Sequence, residues 1–119
     1  MVRLLFPRNL ARREFGQDLA VRDEIVGAWR KSIFAPLPAK GVAGCRLLKA
    51  YVTTARGPQR TLFLLQAASG DTVFLMHRPK GDPIGAFAKA VDQAMSQALR
   101  DIVAGDFDVE MREKADAPA

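Results

Sequence analysis

Cys45-Arg46-Leu47-Leu48-Lys49-Ala50-Tyr51-Val52-Thr53-Thr54 is bounded by Gly44 and by the turn signal Arg56-Gly57-Pro58, and it reads as a strand. Residues 60–68, Arg-Thr-Leu-Phe-Leu-Leu-Gln-Ala-Ala, carry apolar side chains on both faces, as a central strand should. Ser69-Gly70-Asp71 supplies a hairpin turn, and residues 72–78, Thr-Val-Phe-Leu-Met-His-Arg, form the return strand. The three together predict an antiparallel meander. One of its faces can take the helices that precede it.

Upstream, residues 2–6 predict a short strand closed by Pro7. Ala11, Phe15 and Leu19 recur at helical spacing after Asn9, a suitable N-cap. Val21, Ile25, Ala28, Trp29 and Ile33 form a second apolar stripe that Pro36 and Pro38 end. These segments predict a helix pair joined near Ala20, with a loop over residues 35–44. Downstream, Asp82-Pro83 opens a long helix whose stripe is Phe87, Val91, Met95, Leu99, Ile102 and Val103, stopped at Gly105. Its stripe is read as mostly core, and any exposed part would suit a partner or self-association. Phe107, Val109 and Met111 then alternate with Asp106, Asp108 and Glu110, a short strand with an acidic face. The expected fold is α+β: an N-terminal strand and helical hairpin on a small, mainly antiparallel sheet, with a long C-terminal helix, in the order β-α-α-β-β-β-α. One domain is expected over residues 1–111, with a frayed tail over 112–119.

Composition narrows the chemistry. One His and one Cys among 119 residues cannot supply most of the ligands of a zinc site, so no metal or cofactor is expected. Walker, dinucleotide and nucleophile-elbow motifs are absent. A lone Cys45, no apolar run of membrane-spanning length and too short an N-terminal apolar run for a signal peptide fit a cytoplasmic protein with no membrane partner. Cys45 reads as a small buried hydrophobe and Trp29 as core. The net charge of +5 is split along the chain. Residues 1–81 hold fourteen Lys and Arg against five Asp and Glu, whereas residues 82–119 hold four against eight. The basic residues are densest between Lys40 and Lys80, which makes a polyanion the first partner to consider.

The succession of short strand, helical hairpin, Pro/Gly loop and basic meander resembles the RelE/HigB/ParE superfamily of toxin–antitoxin toxins. The similarity lies in Arg13-Glu14-Phe15-Gly16-Gln17-Asp18-Leu19, the strand Gly44-Cys45-Arg46-Leu47-Leu48-Lys49, the Arg-led Gln59-Arg60-Thr61-Leu62-Phe63-Leu64-Leu65, and Thr72–Lys80 with its basic end. It covers roughly residues 2–82. The resemblance implies a metal-independent mRNA endonuclease, on or off the ribosome, that a cognate antitoxin neutralises. Cleavage by the RNA's own 2′-OH needs only a base, an acid and cations for the phosphorane. His77 is the preferred acid/base by type, with Lys49, Lys80 and Arg60 as the other catalytic candidates. Arg46, Arg56, Arg78 and Lys40 are candidates for holding the nucleic acid. Relatives of the ParE kind keep the fold without the nuclease residues and act on gyrase, so the alternative is a non-catalytic toxin or interaction module of the same fold, gyrase-directed or a phage accessory protein.

Strict alternation sets a constraint on this set. Arg46 shares a face with Leu48, Ala50 and Val52, and Lys49 shares the other with Leu47 and Tyr51. His77 would follow Val73 and Leu75, and Arg78 would follow Phe74 and Met76. The candidates cannot all meet unless a strand end twists or bulges.

Overall fold

Apolar side chains alternate to both sides of the central strands, so the sheet must be covered twice to hide them from water. The computed structural model describes residues 2–31, 34–36, 44–66, 69–81 and 88–112. Their order is β1 (Val2–Pro7), α1 (Arg8–Glu14), α2 (Leu19–Arg30), β2 (Phe34–Pro36), β3 (Cys45–Thr54), β4 (Gly57–Gln66), β5 (Thr72–Pro79), α3 (Ala88–Val103) and β6 (Phe107–Arg112). The strands form one sheet in the order β2-β3-β4-β5-β1-β6. Only the β1–β5 pair is parallel; the other pairs are antiparallel. The fold is α+β.

The helices divide between the faces rather than sharing one. Ile25, Val26, Ala28 and Trp29 of α2 pack on Leu4, Phe6, Leu48, Ala50, Phe63 and Phe74. Val91, Ala94, Met95 and Ala98 of α3 pack on Leu5, Leu47, Leu62, Leu64, Val73, Leu75 and Met76 on the other side, together with Leu10 of α1. Neighbouring residues in β1, Leu4 and Leu5, thus serve different cores, which is the period of two expressed as packing.

Helix ends depart from the expected positions for identifiable reasons. The Ala11, Phe15, Leu19 stripe is not one helix: α1 ends at Glu14, Gly16 adopts a positive φ of 58°, and Leu19 is 70% exposed at the start of α2. Asp18 caps α2, its Oδ1 accepting from the N–H groups of Ala20 (3.1 Å) and Val21 (3.2 Å). Helix α2 stops at Arg30, before the prolines, because Phe34–Pro36 pairs with β3 as an edge strand; there a proline costs no ladder bond. The Asp82-Pro83 start of α3, Ile33 and residues 113–119 lie outside the described residues. The terminal strand is present as β6, antiparallel to β1.

Helix α1 begins on Pro7 with no side-chain cap of its own, so Asn9 is not its N-cap. Asp101 of α3 supplies the acceptors instead. It receives the N–H of Asn9 (3.1 Å) and of Leu10 (3.4 Å), the Asn9 amide (2.9 Å) and the Gln97 amide (2.8 Å). A buried carboxylate thus satisfies helix-start donors across tertiary space.

The strands β4 and β5 carry the irregularity that matters most. Leu62 faces Met76 and Phe63 faces Phe74, leaving Leu75 without a partner. This β-bulge puts Leu75 and Met76 consecutively into the α3-side core and reverses the parity of everything after them.

Removing the Asp101 carboxylate (Asp101→Ala) is expected to cost about 2–3 kcal/mol in urea unfolding, the scale of a lost cap plus charge-assisted bonds. Burial pushes the Asp101 carboxyl up, but the hydrogen bonds from Asn9, Gln97 and the two backbone N–H groups outweigh it and hold the group below its ordinary range. Its contribution is therefore complete above the unfolded value of about 3.9 and is lost as the pH falls through the lower folded value. Melts of wild type and Asp101→Asn across that range should show a smaller acid slope in the variant.

Candidate nucleic-acid interface

On the α3 side, β3 and β4 present Lys49 and Tyr51 beside Arg60, which lies directly across from Tyr51. The next strand adds Lys80, just past the end of β5. The Lys49 Nζ lies 5.6 Å, the Lys80 Nζ 5.2 Å and the Arg60 guanidinium carbon 5.8 Å from the Tyr51 ring centroid. Each cation is within cation–π range of the ring of a tyrosine that remains 43% exposed. Arg60 Nη2 also donates to the Lys80 carbonyl at 2.8 Å, which ties the end of β5 to β4. Among the described residues no carboxylate forms an ion pair with Lys49 or Lys80. Hydrogen bonding to Lys49 holds the Tyr51 phenol below its ordinary pKa; burial opposes this, and the charges of Lys49 and Arg60 add to it.

His77 is elsewhere. The bulge turns it to the α2 side, with Thr61 and Glu24, and its side chain is 4% exposed. Thr61 Oγ1 lies 2.7 Å from Nδ1 and Glu24 Oε2 lies 3.0 Å from Nε2. The carboxylate can only accept, so Nε2 carries the proton, and Nδ1 accepts from the threonine hydroxyl. Although hydroxyl, imidazole and carboxylate stand in line, Thr61 is wholly buried and cannot reach a substrate. Burial is the main cause that pushes His77 below its ordinary pKa; the hydrogen bond and charge of Glu24 oppose it, and Arg56 and Arg78 reinforce it. Its geometry is that of a satisfied interior histidine.

The remaining candidates separate as well. Arg78, also reversed by the bulge, faces the α3 side opposite Arg60 and is held by the Glu14 carboxylate at the end of α1 through its two terminal guanidinium nitrogens. Arg56, in the β3–β4 turn, donates to Glu24 at 2.7 Å. Arg46 is exposed on the α2 side, away from Lys49. Lys40 lies outside the described residues. Three of the eight candidates, Lys49, Arg60 and Lys80, therefore come together, and Tyr51 joins them. Among the described residues no group of three His, Cys, Asp or Glu is placed to hold a metal ion. No described helix is long and apolar enough to cross a membrane.

No family model, curated protein or solved structure matches the chain. The chemistry of the site therefore rests on its own residues. Three cations converging on an aromatic ring suit a polyanion with stackable bases better than a small carboxylate, which would need one fork and no ring.

Two titrations follow, each resolved by a residue that occurs once in the chain. The Tyr51 phenolate absorbance should rise below pH 10 and move back toward about 10 in Lys49→Met. The His77 ring signals should titrate below about 6.5. Because the folded state resists protonation, stability should fall as the pH drops from about 6.5 toward the folded value. A His77 midpoint above 6.5 contradicts the buried neutral ring.

Proposed function

We propose that the chain is an endoribonuclease of the RelE/HigB kind that cleaves mRNA without a metal. The observation that carries the reading is the Lys49–Arg60–Lys80 cluster around an exposed tyrosine whose pKa is lowered. In the proposed reaction the Tyr51 phenolate, favoured by Lys49, takes the proton of the RNA 2′-OH. The 2′-oxygen bonds to the adjacent phosphorus, and Arg60 balances the charge of the phosphorane. The bond from phosphorus to the 5′-oxygen breaks, and the Lys80 ammonium protonates the departing oxygen. The products are a 2′,3′-cyclic phosphate and a 5′-hydroxyl. His77, first choice by type, takes no part and holds the end of β5 to α2 instead. The partners in this reading are mRNA, free or on the ribosome, and a neutralising antitoxin, with the cytoplasm as the place of action.

A second reading, a non-catalytic module of the same fold, is favoured by one observation. The only side chain with an ordinary pKa near neutrality is buried on the wrong face.

Purified protein, incubated with RNA in EDTA with and without ribosomes, separates the two. Cleavage leaving cyclic phosphate ends, slowed about a hundredfold or more in Tyr51→Phe and Lys80→Ala, supports the first. RNA left intact by the folded protein, with and without ribosomes, overturns the first and supports the second.

A further inference from the structure

A basic concavity also lies on the α3 side. Its volume is about 500 Å³, and Arg13 of α1 forms one wall while Lys89, Asp92, Gln93, Ser96 and Arg100 of α3 form the other. The α3 residues recur at spacings of three and four, so they make one line along the helix, about 16 Å from Lys89 to Arg100. The groove carries three cations against one carboxylate, and all four groups are exposed. Arg100 is oriented by Gln97, whose Oε1 accepts from it at 3.0 Å while its amide is anchored on Asp101. Arg13 and Lys89 form no ion pair among the described residues.

A strand pairing and an ion pair link the groove to the Tyr51 cluster. Arg60 lies opposite Arg78 on the sheet, Arg78 is held by Glu14, and Glu14 follows Arg13 in α1. Tyr51 lies on the face of the sheet that α3 covers, and α3 forms one wall of the groove. We infer that the groove between α1 and α3 holds the single-stranded RNA that flanks the scissile phosphate, so that substrate runs from the Tyr51 cluster past Arg78 to Arg13, Lys89 and Arg100. This rests on the reading of the Tyr51 cluster as an RNA site.

The lining favours this occupant over a protein. Among the described residues no apolar side chain lines the groove, so they supply none of the dry centre on which protein partners depend. Amides and a hydroxyl between cations suit phosphate oxygens and 2′-hydroxyls. Among the described residues no aromatic side chain lines the groove to read a base, so these residues add affinity without sequence preference.

The test measures binding of 2′-O-methyl oligonucleotides, which cannot be cleaved, as a trinucleotide and as a twelve-nucleotide strand. The variant carries Arg13→Ala, Lys89→Ala and Arg100→Ala together, with a thermal melt to report the fold. The inference predicts a loss of about tenfold or more confined to the longer strand, and a salt dependence shallower by about two. Wild-type affinity of the folded variant for the longer strand overturns it. So does an equal loss for both lengths. A parallel Lys49→Ala, Lys80→Ala variant keeps the failures apart. If it loses both oligonucleotides while the groove variant binds normally, only the groove inference falls. If it binds both normally, the site reading falls and takes the groove with it. A groove variant that unfolds is replaced by the single charge reversal Lys89→Glu, judged on the same readouts.

Discussion

The unpaired Leu75 in β5 governs where every later side chain on that strand goes. Without the shift between Leu62/Met76 and Phe63/Phe74, His77 would point into the α3-side core and Arg78 toward α2. With it, Met76 remains among Leu62, Val73 and Val91, and His77 swings into a niche where Thr61 and Glu24 complete its hydrogen bonds. Arg78 then meets Glu14, whose carboxylate also accepts the His77 backbone N–H at 3.4 Å. That donor needs a partner because β1 has already turned into α1 and no longer pairs with β5 at this level. One extra residue thus fixes the strand to both helices of the N-terminal pair. It also keeps the histidine out of the cationic site.

Charge is arranged around that frame by sequestration. The acidic C-terminal segment returns alongside the basic N-terminus, where Asp108 pairs with Arg8 and Glu110 with Arg22 and Arg30. Glu14, Glu24 and Asp71 take up Arg78, Arg56 and Arg3. Among the described residues of the α3 side, no ion pair takes up Lys49 and Lys80 beside Tyr51, or Arg13, Lys89 and Arg100 in the groove.

Much of this was legible in the residues. The meander, the two-sided core of β4 and the terminal strand followed from alternation and turn chemistry, because burial on both faces demands that pattern. So did the shared face of Lys49 and Tyr51. The bulge was not legible, since Val73-Phe74-Leu75-Met76 is apolar throughout and either register buries it. That ambiguity put His77 and Arg78 on the wrong faces. Arg56 and Arg78 read as free cations because their carboxylates, Glu24 and Glu14, sit far away in the chain. Tyr51 carries no signal of its own in the sequence; its value depends on Lys80, which only β4–β5 pairing brings near. Asp101 as the cap of α1 is likewise a contact across some ninety residues.

The most direct test of the account is a chemical-shift titration of the protein with a 2′-O-methyl RNA strand, observing the single tyrosine, the single histidine and the lysine side chains together. The account predicts that the Tyr51 ring and the Lys49 and Lys80 signals move saturably while the His77 ring stays in place. Movement of the His77 ring with Tyr51 unchanged would contradict it.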